Sequence, residues 1–125
     1  MSSKKKSRLF GDFIIEKRKR QEMSARELAT AIGISPVYMC DIEKNRKFAV
    51  SDEVLDNLIR VLNLSESESE QMYDLVANAR NTVSPDLPEY IMDNILIRTA
   101  LREAKKNQLP DEKWEQFINE IVKKE

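Results

Sequence analysis

The stretch Met23–Lys47, MSARELATAIGISPVYMCDIEKNRK, decides the fold. Ser24 and Glu27 have the spacing of a capping box, in which a serine begins a helix and a glutamate three residues later bonds back to it. Gly33 stands where a left-handed residue would end that helix. The first half of the stretch therefore predicts a short helix closed by a tight glycine turn.

A second helix follows this turn directly. Ser35 can cap it, and Pro36 falls at its first position, where a missing N–H costs nothing. Met39 and Ile42 then point to one side of this helix, and its polar residues point to the other. Two capped helices this short with one small turn between them form a helix-turn-helix motif.

The rest of the chain predicts further helices around this motif. Each segment carries apolar residues at helical spacing, and no useful length alternates with a two-residue period. We therefore predict an all-α fold. The further helices are expected at about residues 9–21, 52–62, 66–80, 88–93, 95–107 and from 110 onward.

The composition excludes several classes of function. The chain has no histidine, one cysteine and two glycines among its 125 residues. It lacks the usual general base, the ligands of a multi-cysteine zinc site and the glycines of a nucleotide-binding loop. No apolar run approaches the roughly 18 residues that a membrane span needs. We expect a cytoplasmic protein that is not an enzyme and uses no metal or cofactor.

Charge divides the chain into a basic and an acidic part. Residues 1–50 contain twelve Lys and Arg against six Asp and Glu, whereas residues 51–125 contain nine against sixteen. Because the basic part contains the helix-turn-helix, a polyanionic partner is favoured over the alternative of two merely solvated surfaces. Double-stranded DNA is the expected partner.

Residues 81–88, NTVSPDLP, interrupt the helical pattern. Their two prolines and several turn formers cannot continue a helix, so we place a domain boundary there. Residues 1–7 are basic and expected to be disordered, either as an arm along DNA phosphates or as a solubilising tail. The predicted organisation is a disordered arm at 1–7, a helix-turn-helix DNA-binding domain at 8–80, a linker at 81–88 and a helical dimerisation region at 89–125.

Residues from Phe10 to about Leu64 resemble the XRE/Cro-type phage-repressor family. The shared features are FGDFI in the first helix, S-x-x-E-L-A in the second, the turn A-I-G-I-S, and S-P-x-Y-M-x-D-I-E-K-N-R in and after the third. The later pattern L-x-x-L-I-R-V-L-x-L-S also fits. The resemblance implies a five-helix DNA-binding domain whose third helix, about Ser35–Lys44, enters the major groove.

Three positions depart from the family pattern. Lys17 stands where leucine is usual, so the first helix is expected to pack less deeply or to tilt. Glu22 stands where glycine or asparagine is common, so the first turn is expected to differ. Ala25 replaces a glutamine that often contacts a phosphate in this family, so that contact should be absent.

The outward side chains of the third helix are the candidates for base contacts, because a recognition helix reads bases near its N-terminus. These candidates are Ser35, Pro36, Val37, Tyr38, Cys40, Asp41 and Lys44. Other polar and basic side chains in and around the motif are the candidates for contacts with DNA phosphates. These are Arg18, Ser24, Arg26, Asn45, Arg46 and Lys47.

The candidates for base contacts are unusual for a recognition helix. It lacks the arginine that pairs with guanine and the asparagine or glutamine that pairs with adenine. Pro36 and Val37 can make only apolar contacts, for example with thymine methyl groups. Asp41 can accept from cytosine, or it can pair with Lys44 or a nearby arginine instead. Cys40 is interpreted as a small surface residue, since no second cysteine is present to support redox chemistry.

The last helix carries a strong apolar stripe. Its members are Trp114, Phe117, Ile118, Ile121 and Val122. Such a stripe is too apolar to be left in water. We expect it to pack partly on residues 88–107 of its own chain and partly on a second copy, which makes a homodimer.

These observations predict a sequence-specific DNA-binding transcriptional regulator. We expect a repressor that binds an inverted-repeat operator as a homodimer, because two recognition helices about one DNA turn apart read a palindrome. The alternative is a mobile-element or phage protein-binding module, such as an antitoxin or an inhibitor of a host nuclease. It would use the helix-turn-helix scaffold or the acidic C-terminal half to bind its protein partner.

Overall fold

A computed structural model of the chain describes residues 8–47 and 50–123. The predicted basic arm at residues 1–7 lies outside the described residues. Within them the chain forms eight α-helices and no strand, so the predicted all-α fold is confirmed. None of these helices combines the length and the apolar character that crossing a bilayer requires.

The helices agree closely with the predicted segments, because serine or asparagine caps and helix-breaking residues bound most of them. In chain order they are α1 (Phe10–Arg20), α2 (Ala25–Ile32), α3 (Pro36–Glu43), α4 (Asp52–Val61), α5 (Glu66–Arg80), α6 (Pro88–Met92), α7 (Ile95–Lys106) and α8 (Asp111–Val122).

The chain divides into two compact units, Met1–Leu87 and Pro88–Glu125. The first unit contains α1 to α5, and the second contains α6 to α8. The segment expected to be a linker lies mostly in the first unit. Within it, Ser84 is buried and its hydroxyl donates a hydrogen bond to the carboxylate of Asp74 on α5. Ser84 therefore anchors this segment to the helix that precedes it.

The core of the first unit is built from apolar faces of all five of its helices. Helix α2 packs on α3 and α4, and α1 packs on α3 and α5. The largest fully buried side chains are Phe13, Ile14, Leu28, Met39, Ile42, Val50, Leu55, Leu58, Leu62, Met72 and Val76.

Lys17 is the charged residue of α1 that faces this core. Only 7% of it is exposed, and its ammonium lies 5.3 Å from the centre of the Phe13 ring. The same ammonium donates to a carboxylate oxygen of Glu68 on α5 at 3.2 Å. The expectation that α1 packs less deeply is wrong, because the lysine stem packs where leucine would and its charge is paired.

Glu68 joins α1 to the beginning of α5. Its carboxylate accepts two hydrogen bonds from Arg20, at 2.6 and 3.1 Å, and one from the backbone N–H of Ser65, the N-cap of α5. These donors, with Arg20 the strongest and Lys17 a further contributor, hold the pKa of Glu68 well below its usual range. The ionised carboxylate therefore stabilises the folded unit.

We predict a pH dependence of stability that this carboxylate causes. Because its pKa is lowered by folding, its contribution is complete above the unfolded pKa of about 4.3 and is lost as the pH falls further. Urea unfolding between pH 6 and pH 2 measures it. The Glu68→Gln variant should lose stability less steeply over this range than the wild type. Glu70→Gln, at an exposed position of the same helix, is the control and should keep the wild-type slope.

Glu22 adopts a left-handed backbone conformation, with φ of 58°, in the turn between α1 and α2. Most residues with a Cβ are strained there, whereas glycine has none and asparagine offsets part of the strain with local hydrogen bonds, which explains why these two suit this position. Asn63 has a similar φ of 54° after α4, but asparagine tolerates this conformation better.

We predict that Glu22→Gly raises the free energy of unfolding by about 1 kcal/mol, because it removes this strain. The matched control is Asn63→Gly, for which the gain should be smaller. Thermal and urea denaturation measure both variants. A gain at Asn63 equal to or larger than that at Glu22 would contradict the assignment of strain.

Candidate nucleic-acid interface

Both ends of α2 have the local bonding that the sequence predicts. The Ser24 hydroxyl accepts from the Glu27 N–H at 3.0 Å, and the Glu27 carboxylate accepts from the Ser24 N–H at 2.8 Å. Gly33 is left-handed, with φ of 82°, and the N–H of Ile34 donates back to Ala29 at 3.0 Å. Ser24, predicted at a phosphate, is thus engaged as a helix cap.

Helix α3 begins with a second cap and exposes one side. The Ser35 hydroxyl accepts from the Tyr38 N–H at 3.0 Å. Met39 and Ile42 are buried in the core, which fixes the rotation of the helix about its axis. Of the predicted base-contacting residues, two are half-buried, Tyr38 and Asp41, and five are exposed, Ser35, Pro36, Val37, Cys40 and Lys44.

Val37 is the most exposed apolar side chain of this surface. It is 73% exposed in the first turn of α3, the part of a recognition helix that lies nearest to the bases. It carries no hydrogen-bonding group, and Pro36 beside it has no N–H to donate. The leading edge of α3 therefore offers apolar contact rather than hydrogen bonds.

Asp41 has an intramolecular partner. A carboxylate oxygen lies 3.4 Å from the guanidinium of Arg46, and its backbone carbonyl accepts from the Arg46 N–H at 2.8 Å. Within the chain, Asp41 is therefore paired with a nearby arginine, one of the partners that the sequence left open. This pairing reduces the repulsion between a carboxylate on α3 and DNA phosphates.

Arg18, which the sequence predicts at a phosphate, is bound inside the first unit. Its guanidinium makes a bidentate ion pair with Glu43, at 2.7 and 2.9 Å, and donates to the Met23 carbonyl at 3.1 Å. The two charged side chains are only 13% and 11% exposed. Hydrogen bonding to Glu43 raises the pKa of Arg18 above its ordinary value. Arg18 thus holds the end of α3 against α1.

Asn45 likewise has a role inside the fold rather than an open side chain. It has a left-handed φ of 62°, and its side-chain oxygen accepts from the Gly11 N–H at 2.8 Å. A Cβ at Gly11 would lie 2.5 Å from the Ile42 carbonyl oxygen, so only glycine allows α1 to approach α3 this closely.

Glu43 and Gly11 were not identified as important from the sequence. Each acts through a contact with another helix, and no local pattern marks such a contact.

The exposed cations that remain at the motif are Arg26 on α2 and Lys44, Arg46 and Lys47 at and after the end of α3. Among the described residues, no group of three or more acidic or cysteine side chains is arranged to hold a metal ion.

Two capped helices held at a tight turn, with α3 exposed beside basic side chains, match a known domain type. Residues 14–69 match the family described as helix-turn-helix. The resemblance of this segment to the XRE-type helix-turn-helix family is therefore confirmed. The domain indicates a DNA-binding transcription regulator. No curated protein and no solved structure matches the chain.

Arg18 and Arg46 should contribute differently to stability, because Arg18 is paired and largely buried and Arg46 is exposed. Arg18→Ala leaves the Glu43 carboxylate unpaired where it is largely buried, so the free energy of unfolding should fall by about 2 kcal/mol. Arg46→Ala removes an exposed pair and should change that free energy by less than about 0.5 kcal/mol. Urea denaturation measures both, and equal losses would contradict the structural role of Arg18.

Proposed function

We propose that the chain is a sequence-specific transcriptional repressor that binds an inverted-repeat operator as a homodimer, with α3 in the major groove. The observation that carries the proposal is the exposed side of α3, flanked by cations that have no buried partner. A repressor of this kind needs only to occlude a promoter, so the helix-turn-helix domain and a means of pairing suffice.

The phosphate contacts are assigned to Arg26, Lys44, Arg46 and Lys47. All four are exposed, and three of them lie at or directly after the C-terminal end of α3. Cations around a recognition helix hold it in register on the DNA backbone, but they do not read the sequence themselves. These residues therefore supply affinity and orientation.

Sequence preference is assigned to apolar contact and to DNA shape. The exposed face of α3 has no arginine, asparagine or glutamine that would pair with a base edge, and Val37 leads it. The base feature that a valine can recognise in the major groove is the methyl group of thymine. Further discrimination comes from how readily the operator adopts the shape that the dimer requires.

Pairing is assigned to the second unit. A single domain with mostly phosphate contacts binds weakly and with little specificity, whereas two copies double the contacts and fix the distance between two copies of α3. The second unit exposes much of its apolar surface, including Phe117 and Ile121 on α8. A second copy would remove this surface from water.

The test is the double variant Arg46→Ala/Lys47→Ala. Its affinity should fall by a factor on the order of ten to a hundred for operator and unrelated DNA alike, and the salt dependence should lose about two units of slope. Fluorescence anisotropy at several salt concentrations measures both quantities. An operator selected from a random DNA library serves as the specific probe.

The matched control is Lys113→Ala/Lys123→Ala, which removes the same charge from the second unit. It should retain the affinity and the salt slope of the wild type. Equal losses in the two variants would mean that net charge alone governs binding. Unchanged binding by the Arg46 and Lys47 variant would overturn the phosphate assignment.

A further inference from the structure

The helices of the second unit bury little apolar surface among themselves. None of the residues of α6, α7 and α8 is fully buried. The unit spans Pro88–Glu125. Folds of fewer than roughly 40 residues, as here, usually need disulfides, metals or oligomerisation to be stable. The only cysteine of the chain, Cys40, lies in the other unit. Association with another apolar surface would supply the missing burial.

An apolar groove of about 430 Å³ opens between α7 and α8. Its walls are Ile97, Leu101 and Ala104 on α7 and Trp114, Phe117 and Ile121 on α8, with further residues at its ends. Trp114 and Phe117 meet edge to face, with ring centroids 6.3 Å apart. The groove is thus lined by the side chains that would form the core of the unit if another helix filled it.

Helix α8 carries a second apolar row beside the one that lines this groove. Ile118 and Val122 are four residues apart, so they lie on the same side of the helix. They do not line the groove of their own chain, and they are 54% and 68% exposed. One face of α8 therefore builds the groove, and the adjoining row is left to enter another apolar site.

The charges of the two helices are complementary. Helix α7 has four cationic side chains, Arg98, Arg102, Lys105 and Lys106, and one carboxylate, Glu103. Helix α8 has four carboxylates, Asp111, Glu112, Glu115 and Glu120, and one cation, Lys113. Between copies, the acidic α8 is therefore attracted by the basic α7, which forms one wall of the groove.

We propose that the groove between α7 and α8 takes α8 of a second copy of this chain, with its Ile118 and Val122 row inward. The exchange is reciprocal, so both grooves of the dimer are filled by one symmetric interface. The inference rests on the proposed function, since it specifies how the two copies of the regulator are joined. It adds that α7 contacts α8 across the interface.

Charge reversal in the full chain tests this arrangement. The α7 variant is Arg102→Glu/Lys105→Glu, and the α8 variant is Glu115→Lys/Glu120→Lys. Each variant alone brings like charges together twice in the dimer, so self-association should weaken about tenfold. In an equimolar mixture of the two variants, both contacts between α7 and α8 in the heterodimer again join unlike charges. Wild-type affinity should therefore return. Sedimentation velocity and native mass spectrometry measure the species present.

Rescue in the mixture separates this interface from the alternatives. A variant that fails to fold cannot be rescued, and charges that act only within one chain are not restored by a partner chain. If α8 instead paired with α8, the α7 variant would associate like the wild type, and this result would overturn the proposal. Absence of rescue would overturn it as well.

DNA binding is measured separately with the wild-type chain. If the wild-type dimer binds the operator but the mixed variants show no rescue, the proposed function stands and only the groove assignment is removed. A chain that remains monomeric at tens of micromolar would overturn both the homodimer and the occupant proposed for the groove. An intact dimer that binds no DNA would overturn the proposed function and leave the interface in place.

Discussion

The ion pair between Arg18 and Glu43 is the contact on which the placement of α3 depends. It joins the end of α1 to the end of α3 in a region where both side chains are largely shielded from water. A bidentate pair with this little exposure has a narrow range of geometries, so it orients the helix as well as holding it. Gly11, near the start of α1, adds a second link to this end of α3, because its backbone N–H donates to the side-chain oxygen of Asn45.

The cations of the basic half form two groups, those paired with carboxylates inside the first unit and those that remain exposed. Arg18 pairs with Glu43 on α3, whereas Lys17 and Arg20 pair with Glu68 on α5. Arg26, Lys44 and Lys47 remain exposed, and Arg46 makes only a long contact with Asp41. The count of twelve cations in residues 1–50 therefore overstates the positive field available to DNA, because the paired cations contribute little to it.

The two units depend on burial to different degrees. The first unit surrounds its apolar residues with five helices and leaves few of them exposed. The second unit has three helices, and its apolar side chains remain in contact with water. Leu96 belongs to the apolar pattern of α7 but is 71% exposed, so a helical pattern alone does not tell whether a face is buried by its own chain or by another.

The sequence by itself determined the all-α fold, the position of every helix and the helix-turn-helix, because caps, glycine turns and apolar spacing act over a few residues. The exposed cations after α3 also followed from it. Only the tertiary structure decided that Arg18 binds Glu43, that Asn45 accepts from Gly11 and that Lys17 is buried and paired. These contacts join residues 25 to 51 positions apart, and no local pattern records which distant partner a charge will meet.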